Sequence, residues 1–246
     1  MSGQQKGKNS MGKKITAALS LALAHVYLAF YRRIARVKPL SLDHVDQASR
    51  LLTEQFCLRE PLCRSLKLDV ERLLPFFRDQ VTRAARNQLG LVAVGPSGDV
   101  LGAVILEDHA EPYVPGEEFL TPEFVAIGSL LDEVSLPPDL KGMHGGEMVY
   151  CALAAVKPGR HKAPILGLMT VAVTTLMVPR GYTKGYAKVT NPRIIDNFRK
   201  LEHLLGQKIF TVTLEKSDKD FSPGRFAPLM NFYVAVVHWN LAFLDG

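Results

Sequence analysis

Apolar positions along the chain follow two rhythms. Ile34, Val37 and Leu40 mark a short alternating stretch over 33–40, which predicts a first strand. Ser41-Leu42-Asp43 supplies a helix start, and Val45, Ala48, Leu51, Leu52 and Phe56 follow at helical spacing. A second helical region runs over 66–87, with a break expected at Pro75. The sharpest local signal comes next. Residues 91–94 and 100–106 are extended runs joined by Gly95-Pro96-Ser97-Gly98-Asp99, a hairpin pattern. Residues 148–156, 186–189, 209–214 and 232–241 predict four further strands. Residues 165–177 and 194–205 predict helices, the second stopped at Gly206 as a C-cap. The order β–α–α–β–β–(insertion)–β–α–β–α–β–β predicts an α/β (α+β) fold with a mixed sheet and helices on both faces.

Two segments depart from these rhythms. Residues 107–143 hold Pro112, Pro115, Pro122, Pro137 and Pro138 and many acids, and read as a long insertion with one helix near 124–134. Residues 1–12 are polar and rich in Gly, Ser and Lys, a disordered tail. Lys13-Lys14 then precede an apolar run over 15–30, and Arg32, Arg33 and Arg36 follow it. Sixteen residues fall short of the roughly 20 that span a bilayer. Three readings of 13–32 stand: an extra helix whose cationic ends, across 13–36, hold it on an anionic membrane surface; a helix packed on its own domain or a partner; or a span or signal.

Composition changes the picture in one respect. The 246 residues carry a formal +6 with 47% hydrophobic and 22% charged residues, a globular composition with room for one sizeable core. Residues 1–40 hold eight basic and no acidic residues, so the remaining 206 carry a net −2. The basic balance is a property of the N-terminal segment, and a generally basic nucleic-acid-binding surface is a poor account of it. Three cysteines, Cys57, Cys63 and Cys151, are an odd count without zinc-knuckle spacing, which reads as buried thiols in a reducing, intracellular compartment. His144 and Glu147 sit three apart but outside a predicted helix, so no metal site is expected.

Several stretches then carry a resemblance. These are Asp46 to Phe56 followed by Arg59-Glu60-Pro61-Leu62, and Leu91-Val92-Ala93-Val94 with Gly98, Val100 and Gly102. Val156-Lys157-Pro158 before a basic turn, Thr190-Asn191-Pro192 before a helix, and Phe221 complete the set. In this order they resemble the GCN5-related N-acetyltransferase superfamily, closest to its arylalkylamine and polyamine branch, over about residues 33–240. The resemblance implies one domain over 33–246 with a mostly antiparallel twisted sheet. It implies acyl transfer from acetyl-CoA or another acyl-CoA to the primary amine of a small molecule, without a metal, by a monomer or homodimer. The acidic residues of 107–133 would attract a cationic amine or simply solubilise that face.

The resemblance also assigns residues. Glu60 is the expected general base, acting through water, with its pKa raised by Phe56, Leu62 and Tyr113. Leu153, Ala154 and Val156 would meet the pantetheine. Arg160, His161, Lys162, Ala163 and Ile165 would receive the phosphates at a helix start. Asn191 and Phe198 would complete the coenzyme site, and Tyr186 is the candidate acid for the leaving thiolate. Cys151 is expected to be a core thiol and not an acyl acceptor. The coenzyme loop departs from the family pattern. Aligned from Val156, its two small-residue positions hold Pro164 and Leu166, with Gly159 or Gly167 as substitutes in another register. The serine three residues after Asn191 is Ile194. These departures keep a second reading open: a weak or inactive binding or scaffold protein of the same fold, peripheral at a membrane.

Overall fold

The computed structural model describes residues 33–205, 208–217 and 233–241. The expected helix over 13–32, Gly206 and Phe221 lie outside them. Among the described residues seven strands form one sheet in the order β1-β2-β3-β4-β5-β7-β6. They are β1 (Arg36–Pro39), β2 (Gly90–Val94), β3 (Val100–Asp108), β4 (Met148–Val156), β5 (Lys184–Val189), β6 (Phe210–Ser217) and β7 (Tyr233–Asn240). Every pairing is antiparallel except β4 with β5. The mixed, mostly antiparallel sheet with helices on both faces is the predicted one.

Among the described residues two helices cover one face. α5 (Lys162–Met177) lies over β1 to β4, and α6 (Pro192–Leu205) over β5 and β6. Ile165, Met169, Val173 and Met177 of α5 are buried against Leu91, Val104 and Val149 of the sheet. Gly102 lets α5 approach this closely, because a Cβ there would stand 2.7 Å from the Met169 sulfur. The stretch Lys162–Arg180 is long and apolar enough to cross a membrane, but its buried side chains are those that pack on the sheet.

The opposite face carries α1 (Val45–Arg59), the short α2 (Pro61–Ser65), α3 (Val70–Arg86) and α4 (Pro122–Asp132). Leu52, Phe77 and Val81 pack on Val92, Ala103 and Ile105. A second cluster joins Leu130 and Val134 of the insertion to Leu62, Met148, Tyr186 and Val236.

Local chemistry sets the ends. The Asp69 carboxylate accepts from Arg72 N at 3.0 Å and Thr121 Oγ1 from Phe124 N at 3.3 Å, so both residues cap the helix that follows. The helical region expected over 66–87 begins with a turn through Lys67 at φ 52° and becomes helix only as α3, from Val70 to Arg86. Pro75 does not break α3. It is exposed, and the Glu71 carbonyl that loses its partner lies on the same exposed side. The insertion holds α4 where a helix is predicted, with 3-10 turns at Glu117–Phe119 and Pro138–Leu140 on either side. α5 starts at Lys162, three residues before its predicted start, because Pro164 fits its first turn.

Candidate active site

The centre of the sheet is irregular on both sides of β4. Toward β3, Ile105 pairs with Leu153 but Leu106 with Cys151, so one extra residue, Ala152, enters β4. Such a bulge bends the strand and re-aims its backbone groups. Toward β5, β4 pairs only through Met148–Lys184, Val149–Gly185 and Tyr150–Tyr186. Past that rung β4 runs to Val156 and β5 to Val189 with no ladder between them. The two strands part like a V whose vertex is the Tyr150–Tyr186 pair. Ala154, midway along this central strand, is exposed, although a mid-sheet residue is ordinarily covered. It lies along the gap between β4 and β5, where β4 backbone groups face no strand on that side.

The wide end of the V is cationic. Gly159 sits in the loop at φ 152°, a conformation that disfavours any side chain, and a Cβ there would meet nothing within 4 Å. Gly159 thus supplies the open backbone that Pro164 and Leu166 do not. In the first turn of α5, Lys162 N donates to Gly159 O at 3.2 Å and Ile165 N to His161 O at 3.0 Å. Pro164 has no N–H, so Ala163 provides the remaining backbone donor of that turn. Arg160 Nε donates to His161 Nε2 at 2.9 Å. Burial lowers the Lys162 pKa, and the charges of Arg59 and Arg193 lower it further. Lys162 thus lies within electrostatic reach of Arg59 at the end of α1 and Arg193 at the start of α6, a setting that favours an anion. Sequence reasoning named only Lys162, since nothing in local spacing brings Arg59 and Arg193 to it.

Glu60 stands at the same end. It is the N-cap of α2, with Pro61 in the first helical position. Its Oε2 accepts from Cys63 N at 2.7 Å, and its Oε1 accepts from the Thr190 hydroxyl at 2.5 Å. Asn191 Nδ2 donates to Arg59 O at 3.4 Å beside it. The expected setting against Tyr113 is corrected: that phenol donates to Asp79 on α3 at 2.6 Å, and its ring packs on Phe76 at 5.6 Å. Thr190 is a partner that the sequence did not announce.

At the vertex, the Tyr150 and Tyr186 rings stack at 4.8 Å. Burial pushes the Tyr186 phenol well above its ordinary value, and the charge of Glu107 adds to the shift. Burial, again with Glu107, pushes the Cys151 thiol up to about 12. The remaining predicted residues divide. Leu153 packs on the α1 face, while Val156 is buried under α5 and Ile165 lies on the buried side of α5 itself. Phe198 stacks near Phe210 at 4.4 Å, against β6 and β7. Asn191 Oδ1 accepts from Arg193 N at 3.1 Å. His144 N donates to Glu147 Oε2 at 2.9 Å within a turn. Among the described residues no group of three metal-ligating side chains converges.

The fold is shared with solved structures. The C-terminal condensation domain of Ebony, in complex with beta-alanyl-dopamine, superposes with a TM-score of 0.65 at 13% identity, over 84% of this chain and 98% of that one. The fold is that of the GCN5-related N-acetyltransferases. Arylalkylamine N-acetyltransferase 2 of Aedes aegypti superposes with a TM-score of 0.62 at 12% identity, over 84% and 99% of the two chains. The polyamine N-acetyltransferase of Drosophila melanogaster, which catalyses formation of N-acetylagmatine, gives 0.57 at 15% identity, over 84% and 99%. No protein-family model and no curated protein sequence matches the chain.

Proposed function

We propose that the protein transfers an acyl group from acetyl-CoA or another acyl-CoA to the primary amine of a small molecule. The parting of β4 and β5 at Tyr150–Tyr186 carries this reading. A gap through the middle of a sheet, floored by exposed Ala154, suits an extended pantetheine arm with its thioester at the vertex. The Arg59, Lys162 and Arg193 cluster, with Arg160 on the adjoining loop and the Ala163 N–H, suits the phosphates. When bound, acyl-CoA supplies an activated carbonyl. The protein's own residues orient it, take a proton from the amine and return one to the departing sulfur. Glu60 is the proposed base, through water, and Tyr186 the proposed acid, its raised pKa keeping the phenol protonated. The proposed setting is intracellular, with residues 13–36 on an anionic membrane surface.

Two observations favour a second reading, a binding protein of the same fold without turnover. Pro164 removes one phosphate-facing donor, and both Glu60 oxygens already accept hydrogen bonds. Calorimetry with CoA and acetyl-CoA, followed by an acyl-transfer assay over a panel of amines, separates the readings. Binding with turnover supports the enzyme. Binding without turnover on any amine selects the second reading, and no binding at millimolar coenzyme removes the enzyme reading.

A further inference from the structure

One hydrogen bond at the vertex has no part in the reaction as assigned above. His109 Nδ1 lies 3.0 Å from the Tyr186 hydroxyl, with the two rings edge to face at 5.5 Å. Tyr186 is buried and belongs to the last rung before the strands part. His109 is half-buried at the end of β3, where water reaches it, and its backbone is pinned through His109 N to Met148 O at 3.0 Å. The imidazole thus stands between the enclosed phenol and solvent.

Resting on the acyltransfer reading, we infer that His109 is a positioning residue. It orients the Tyr186 hydroxyl toward the leaving sulfur and resupplies its proton. With His109 protonated, Nδ1–H donates to the phenol oxygen, and the phenolic proton is free to point into the gap. The amine nitrogen attacks the thioester carbonyl, the C–N bond forms, and the excess amine proton passes through water to Glu60. The C–S bond breaks with its electron pair on sulfur. The Tyr186 proton moves to that sulfur, and the Nδ1 proton moves to the phenolate oxygen, leaving neutral imidazole. Water reprotonates His109, while Glu60 releases its proton to water. Amine and thioester have become amide and thiol.

The groups that face this pair come from several elements. Glu107 of β3 and Asp132 of α4 carry negative charge near the tyrosine pair, and Glu107 directly opposes Tyr150 in register. His238 of β7, opposite Tyr186 in register, has its own carboxylate partner, Asp139, at 3.5 Å. Stacked Tyr150 shields the phenol on the remaining side.

The test compares wild type with His109→Ala and His109→Asn in steady-state turnover of acetyl-CoA and the best amine across pH. His109→Ala should lower kcat by about tenfold or more, in line with general acid catalysis. It should leave both KM values within about twofold and abolish the alkaline limb of the kcat profile. His109→Asn keeps a donor but has no proton to give, so it should recover part of kcat without that limb. An acetyl thioester of an aromatic thiol, whose thiolate leaves unaided, should be turned over alike by all three proteins. An unchanged kcat with the limb intact overturns the inference and leaves the acyltransfer reading standing. So does a loss that is equal at every pH and with both thioesters. A wild type that turns over no amine removes the acyltransfer reading and this inference with it. If His109→Ala does not fold, the His109→Asn profile decides alone.

Discussion

The Thr190 hydroxyl donates to Glu60 Oε1 at 2.5 Å and so ties the corner between α1 and α2 to the end of β5, across the wide end of the parted strands. The same carboxylate holds the start of α2 through Cys63 N. One side chain therefore caps a helix and spans the mouth of the proposed site. Its distance from the thioester is set by how far β5 swings from β4. Separating the structural part from the chemical part requires different substitutions.

Glu60→Gln keeps an acceptor for Cys63 N and lets the Thr190 hydroxyl turn to accept, so the fold should hold. Loss of the base should lower kcat about a hundredfold near neutral pH, with a smaller loss at high pH where the amine sheds its proton unaided. Glu60→Ala should in addition cost about 1 kcal/mol in urea unfolding, the ordinary worth of an N-cap. Thr190→Val should lower kcat with coenzyme affinity unchanged. A Glu60→Gln rate equal to wild type at every pH removes Glu60 as the base.

Gly159→Ala tests the coenzyme loop. A Cβ at this position clashes with nothing, so its cost is conformational, of the order of 1–3 kcal/mol for a φ that side chains avoid. The loop should relax away from this shape, weakening CoA binding in calorimetry by about tenfold or more while β4 and α5 stay folded. Unchanged affinity would show that the phosphates do not approach this backbone.

Much of this architecture is legible in the sequence because it is local. The hairpin of β2 and β3 is written in Gly95-Pro96-Ser97-Gly98-Asp99, and β4 in nine consecutive mostly apolar residues. The start of α4 follows from Thr121, a short polar side chain that competes for the Phe124 N–H. What is not legible is whatever the closed sheet brings together. Arg59, Lys162 and Arg193 meet only because α1, α5 and α6 end at one edge of the V. Thr190 reaches Glu60 and Tyr186 reaches His109 for the same reason. Tyr113 is misplaced by sequence reasoning because the insertion returns along α3 rather than over α2. The bulge at Ala152 leaves no compositional mark among small residues.

Lys162→Gln should show a trade between stability and binding. Burial and two neighbouring cations hold the Lys162 pKa below its ordinary value of 10.5. Between the folded and unfolded pKa values the unfolded chain binds more protons, so the lysine's contribution to stability rises with pH through that window and is unfavourable below it. Removing the charge should therefore leave the protein as stable or more stable at neutral pH, and flatten the change in stability on the alkaline side. CoA affinity should fall about tenfold, and its salt dependence should weaken. A less stable variant with unchanged affinity would mean that the lysine serves packing alone.

Cys151 should be inert as an acyl acceptor. Its thiol is pushed from 9.0 up to about 12, so thiolate is about a thousandfold scarcer than for an ordinary cysteine at the same pH. Peptide mass spectrometry after iodoacetamide treatment of the folded protein should show Cys151 unmodified while denatured protein is fully alkylated. Cys151→Ser should retain turnover within severalfold. Trapped acyl-Cys151 would overturn this expectation.

Deleting residues 1–32 tests whether the positive balance of the chain concerns location and not chemistry. Ala35 is buried in the core and β1 begins at Arg36, so the shortened chain keeps every described strand and helix. Unfolding free energy should change by no more than about 0.5 kcal/mol, as for surface changes. CoA affinity should hold, since Arg59, Lys162 and Arg193 remain. Sedimentation with vesicles containing phosphatidylserine should capture the full chain and release it as salt rises. Each of the five basic residues removed contributes about 1 kcal/mol of such attraction when it sits near the surface. The shortened chain should stay in solution with the same vesicles. If it fails to fold instead, the segment is packed against the domain and the surface-anchor reading falls.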